Sequence, residues 1–124
     1  MKFIRIGLSL AFWIPLGFAA YMAWAPLDHL DVPRHHDKIV HFLTFGYLTG
    51  AFAVAYARWT TWLRTAGIMF AYGGMIEIVQ AFIPYRSCSL LDLVADGIGI
   101  SLALSGLYAT NKIAGLFKQR VKTL

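Results

Sequence analysis

The sequence predicts an all-α fold, a four-helix transmembrane bundle with both termini cytoplasmic, and three observations predict it. Hydrophobic residues fill 59% of the 124 positions and charged residues only 14%, with a mean hydropathy of +0.63, which is too apolar for a soluble domain of this length. Apolar runs matching the roughly 20 residues that a span needs stand at 6–24, 39–57, 65–83 and 91–108. With alternating crossings, Lys2, Arg5, Arg58, Arg64, Lys112, Lys118, Arg120 and Lys122 share one side, whereas the other has only Arg34, Lys38 and Arg86. The positive-inside rule assigns the richer side to the cytoplasm.

The first run follows Lys2 and Arg5 and ends at Ala23-Trp24-Ala25, the layout of a secretory signal peptide. It exceeds the usual signal core of roughly 7–15 residues, and Pro26 hinders cleavage after the triplet, so a retained span is expected. In the second run, Gly46 and Gly50 form a small-xxx-small pattern that lets another helix approach. The third run carries Gly73-Gly74 beside Glu77 and stops before Pro84. The fourth opens on Ser89-Leu90-Leu91-Asp92, a capping-box pattern, and presents a small ridge at Gly97, Ser101 and Ser105. Trp13, Trp24, Trp59, Trp62, Tyr21 and Tyr85 mostly fall near the ends of runs, where aromatic rings favour the interface. Cys88 is the only cysteine, so no internal disulfide forms, and a packing role is expected for it.

Little chain remains outside the runs, so residues 1–124 read as one domain whose function lies in or at the bilayer. No nucleotide loop, internal repeat or low-complexity tract is present. The net charge of +5 reads as attraction to anionic headgroups rather than to nucleic acid. The partner expected is therefore the lipid bilayer.

All six carboxylates fall on the side away from the basic tail. Asp28, Asp31 and Asp37 precede the second span, Glu77 closes the third, and Asp92 and Asp96 open the fourth. Short connections make successive helices neighbours, so these groups are expected at one level. Residues three or four apart share a helix face, which pairs Asp37 with His41, Glu77 with Gln80, and Asp92 with Asp96. Glu77 lies about 10 Å down its helix from Pro84, inside the hydrocarbon. Asp96 lies at a similar depth. A mid-helix aspartate costs roughly 2.5–3.5 kcal/mol on the insertion scale, so both need partners, and His41, Gln80 and Arg86 are the candidates. Asp37 and Asp92 read equally well as helix caps, and His41 on its own reads as an interior hydrogen-bonding histidine.

This constellation resembles the VanZ-like family of small bacterial membrane proteins. The resemblance is carried by Asp37-Lys38, His41-Phe42, Phe45-Gly46, Glu77 with Gln80, Pro84, Arg86, Asp92, and Gly97 or Gly99, over residues 37–99. Where the family usually shows asparagine four residues after the aspartate, this chain has Asp96. The family is named for a member associated with teicoplanin resistance. The resemblance implies a multi-pass protein of the bacterial cytoplasmic (inner) membrane with a role in the cell envelope.

Three function classes fit. In the first, an outward-facing hydrolase or transferase acts on a lipid or lipid-linked envelope component, with Glu77, Asp96, His41, Asp92 and Asp37 as catalytic candidates and Arg86, Gln80 and Lys38 as substrate-binding ones. A divalent metal held by His41 and the carboxylates, with Gln80 behind them, is a variant of this class, but no tight spacing such as HExxH is present, so no cofactor and no metal ligand is assigned. In the second, the same notch recognises an anionic amphiphile headgroup or a glycopeptide without turnover. In the third it clamps an envelope assembly. Transport through so few helices would require a homo-oligomer.

Overall fold

The computed structural model describes residues 2–26, 34–57 and 59–122. Asp28, Asp31 and Arg58, and the side chains of Arg34, Lys118, Arg120 and Lys122, lie outside the described residues. Four helices follow in order: α1 (Lys2–Trp24), α2 (Arg34–Ala55), α3 (Trp62–Ala81) and α4 (Leu90–Lys122). Among the described residues there is no β-strand. Lys2–Trp24, Asp37–Ala55 of α2 and Leu90–Leu116 of α4 are long and apolar enough to cross a membrane. The third helix is not among these three; it buries Thr65, Glu77 and Gln80, and its 20 residues reach about 30 Å, a hydrocarbon core's thickness.

The helix boundaries have local causes. Thr61 caps α3 by accepting from the Arg64 N–H at 3.3 Å, and Pro84 follows the helix end. The fourth helix runs 33 residues rather than stopping near 108, because no proline interrupts 109–122. At 1.5 Å per residue it extends about 50 Å, well past the hydrocarbon.

Packing centres on α2 and α4, the most extensively paired helices although they are not consecutive. They run in the same direction and meet at Gly46 and Gly99. A Cβ on Gly99 would collide with the Phe42 carbonyl oxygen and come within 3.0 Å of the Gly46 nitrogen. A Cβ on Gly50 would meet nothing within 4 Å. The close approach therefore uses Gly46 without Gly50, and Gly99 rather than the Gly97, Ser101 and Ser105 ridge, whose two serines are exposed. Phe45, Leu48, Met69, Ile76 and Ile100 fill the core, with Phe12 from α1.

The first helix buries only Phe12 and is held largely by donors aimed at its backbone. Pro15 has no N–H to give Ala11, four residues earlier, so the Ala11 carbonyl is an orphan inside the helix. The Tyr47 hydroxyl fills that vacancy at 2.9 Å. Tyr72 donates to Leu16 O at 2.6 Å, and Trp13 Nε1 donates to the Tyr56 hydroxyl at 2.7 Å.

Candidate functional site

The N-terminal ends of α2 and α4, the C-terminal ends of α1 and α3, and the 82–89 loop share one end of the bundle. All eight candidate site residues lie there. The α2–α4 seam supplies two rungs. Lys38 Nζ donates to Asp92 Oδ1 at 3.3 Å, and one turn deeper His41 Nδ1 meets Asp96 Oδ1 at 2.9 Å. Asp37, His41 and Asp92 bring one ligand-type atom each within 4.8 Å of one another. Asp96 is fully buried and His41 is 9% exposed, its ring parallel to Phe45 at 6.4 Å. Helical spacing produces this arrangement, since 37, 38 and 41 on α2 face 92 and 96 on α4.

Gly73 makes room for the deeper rung. A Cβ there would stand 2.6 Å from Asp96 Oδ2, which has no hydrogen-bond partner among the described residues, and 3.3 Å from the Phe45 ring. The polar stripe expected on α3 thus includes this glycine for a steric reason.

Glu77 takes another partner from those expected. Its Oε2 accepts from the Ser89 backbone N–H at 2.8 Å. In a capping box the acid three residues along the same helix fills that place; here α3 supplies the acid and Asp92 turns to Lys38 instead. Glu77 is 5% exposed, and its Oε1 has no hydrogen-bond partner among the described residues. Cys88 lies beside it in the loop. Desolvation, then the Glu77 carboxylate and the Asp92 charge, push the Cys88 thiol above its usual range although the residue is exposed.

Gln80 and Arg86 reach α1. Gln80 Nε2 donates to Ala23 O at 3.1 Å, and Arg86 Nη2 to Met22 O at 2.6 Å and Ala25 O at 2.8 Å. With the Tyr85 hydroxyl on Trp24 O at 3.0 Å and the Ala25 N–H on Tyr21 O, each of these five carbonyls closing α1 has a donor. A guanidinium at this end also suits the negative pole of the helix dipole. Arg86 Nε is buried with no hydrogen-bond partner among the described residues. Tyr85 joins this cap without having been legible as a site residue, because backbone carbonyls leave no mark in a sequence.

A cavity of about 700 Å³ opens between α1, α2 and the end of α3. Pro15, Phe18, Ala19, Val40, Leu43, Leu48 and Ile76 line its body, and Asp37, His41, Gln80, Tyr85 and Arg86 its polar end. Phe18, Val40 and Leu43 are more than half exposed, so the cavity is open sideways to the surroundings of the bundle. His41 belongs both to this wall and to the buried pair with Asp96.

The VanZ/LLP1 family model matches residues 27–111, taking in α2, α3, most of α4 and every residue of the polar end. The chain belongs to the VanZ-like family. An uncharacterized protein of Schizosaccharomyces pombe is 36% identical over 104 residues, covering 82% of this chain and 62% of its own length. The chain thus spans less than two thirds of that relative. No solved structure matches. The relative is a yeast protein, so the membrane character rests on the apolar helices, and a bacterial envelope gains no support from this comparison.

Proposed function

We propose that this VanZ-like membrane protein takes a lipid or lipid-linked amphiphile sideways from the bilayer and hydrolyses or transfers a group on its polar head beside His41, at the outer face of the membrane. One observation carries the reading. An imidazole held at Nδ1 by a fully buried carboxylate stands at the polar end of a laterally open apolar cavity. The cavity falls within the 300–1,000 Å³ range typical of small-ligand sites, and its apolar body suits an acyl or prenyl chain. With Nδ1 committed to Asp96, Nε2 is the nitrogen left for chemistry, and the carboxylate holds the ring's orientation. Lys38 and Arg86 place positive charge at this end, favouring an anionic head. Arg86 also keeps the α1 wall in place through its carbonyl bonds.

The test is a lipid and lipid-linked precursor profile of cells carrying the wild type or His41→Gln at equal membrane abundance. A species that accumulates with His41→Gln and falls with the wild type is the expected substrate. Profiles that agree, together with purified protein that retains the same lipid in both forms, would replace turnover with non-catalytic binding of the headgroup.

A further inference from the structure

We infer that Asp37, His41 and Asp92 hold a divalent first-row transition ion such as Mn²⁺ or Zn²⁺, with Asp96 fixing His41 from behind. The inference deepens the reading above by naming what His41 acts through, and its test needs no substrate.

The donor set is one imidazole nitrogen and two carboxylates from facing helices. Nitrogen with oxygen, and no sulfur, suits Zn²⁺ and Mn²⁺ better than Ca²⁺ or Cu⁺. Ligand atoms about 2.1 Å from one ion stand at most about 4.2 Å apart. The three atoms already lie within 4.8 Å, so side-chain rotation closes the site without moving a helix.

The support behind His41 is the second pointer to a metal. It is nine-tenths buried, and its hydrogen bond among the described residues is at Nδ1, to Asp96 at 2.9 Å. A metal-binding histidine almost always gives its other ring N–H to a carboxylate or carbonyl, which fixes the tautomer and raises the basicity of the ligating nitrogen. Asp96 does this here from full burial, where a carboxylate is expensive to keep.

The local charge points the same way. Asp37, Asp92, Asp96 and Glu77 gather at one end of the bundle. Lys38 makes one contact, 3.3 Å long, to a single Asp92 oxygen, from a side chain that is 40% exposed. Arg86 spends Nη2 on backbone carbonyls. Among the described residues these two cations face four carboxylates, and a divalent ion adds positive charge where Asp37 and Asp92 meet His41. Lys38 then swings toward solvent on its flexible stem, as a competitor of the ion for Asp92.

Three protein ligands leave coordination positions open toward the cavity, where a phosphate or carbonyl oxygen of the amphiphile head, or a water, binds. When bound, the ion supplies Lewis acidity to that oxygen, and His41 serves as its ligand.

The experiment uses the full chain carrying Cys88→Ser, to remove the thiol, in nanodiscs of zwitterionic lipid. After chelator treatment it is titrated with Mn²⁺ while the electron paramagnetic resonance signal of the free ion is followed, with Zn²⁺ as competitor. One ion per chain, displaced by Zn²⁺, is expected. His41→Gln and Asp92→Asn should each raise Kd more than tenfold, and Asp96→Asn by about 10- to 100-fold. Lys38→Ala should tighten binding, which loss of a merely structural contact would not do. Variants are compared only where helix content and monodispersity match the parent. No stoichiometric binding by the parent, or affinity indifferent to both His41→Gln and Asp92→Asn, overturns the inference. Ion binding by a protein that turns over no lipid upholds the inference and sinks the amphiphile chemistry instead.

Discussion

Gly99→Ala tests the link between helix packing and site geometry. The added methyl would come within 3.0 Å of the Gly46 nitrogen and 3.2 Å of the Phe42 carbonyl carbon, and closer still to the Phe42 carbonyl oxygen. These are backbone atoms of α2, with no rotamer to turn aside. Ordinary C···O contact begins at about 3.3 Å, so α2 and α4 must part by about 1 Å. Overpacking of this kind costs about 1–3 kcal/mol. Gly99 lies three residues from Asp96, and Phe42 is next to His41, so the displacement reaches the deeper rung at nearly full size. A 2.9 Å hydrogen bond stretched by that amount is broken. Losing it leaves a buried polar group unpaired, at about 1–3 kcal/mol more. The assay is reversible unfolding in mixed micelles, with Gly50→Ala as control because a Cβ there meets nothing within 4 Å. Gly99→Ala should lose about 2–6 kcal/mol in total, and Gly50→Ala should be neutral or slightly stabilised. Equal stability of the two variants would refute the Gly46–Gly99 crossing and the inter-helix rungs that depend on it.

Gly73→Ala should displace the Asp96 carboxylate, 2.6 Å from the new Cβ, and abolish whatever chemistry the His41 pair performs, whereas Gly74→Ala, with open space, should leave it intact; matched activity or ligand-binding assays of the two variants check this. Arg86→Ala removes the donor to Met22 O and Ala25 O and should speed amide exchange over the last turn of α1 in hydrogen-exchange mass spectrometry, with a stability loss of about 1–3 kcal/mol. Exchange there that matches the wild type would remove Arg86 from the cap. Tyr47→Phe should cost about 1 kcal/mol by orphaning the Ala11 carbonyl opposite Pro15, and clearly less in a Pro15→Ala background, where the restored N–H serves that carbonyl; a double-mutant cycle in the same unfolding assay reads the difference.

What the sequence made legible follows from what each feature depends on. Four helices follow from runs of apolar residues, and the gathering of Asp37, His41, Glu77, Asp92 and Asp96 at one end follows from chain direction and helical period alone. Which carboxylate meets His41 depends on the rotation of α2 against α4, and that rotation is set by Gly46 and Gly99, of which Gly46 had been paired with the wrong partner, Gly50. The roles of Gln80, Tyr85 and Arg86 at the end of α1 stayed hidden because their partners are main-chain carbonyls. The capping-box pattern at Ser89 was misleading for a similar reason. A sequence motif names an acid on the same helix, and cannot show that Glu77 from α3 reaches the Ser89 N–H first.

These substitutions of partner share one physical cause. Away from water an unpaired carbonyl or N–H costs several kcal/mol, so helix ends inside the bilayer draw polar side chains toward them. The closing carbonyls of α1 and the opening N–H of α4 lie at the end where a headgroup would enter, and the side chains that satisfy them also wall or border the cavity. Fold and site therefore draw on the same donors. An alanine at Glu77, Gln80 or Arg86 would unfasten a helix end as well as alter the site, and its phenotype would not separate the two. Replacements that keep the hydrogen bond do separate them. Glu77→Gln retains a carbonyl oxygen for the Ser89 N–H while removing the charge, so stability should hold and only a function that needs the carboxylate should fall. His41→Gln and Asp96→Asn act on the pair that no helix end requires, which makes them the cleaner reporters of chemistry.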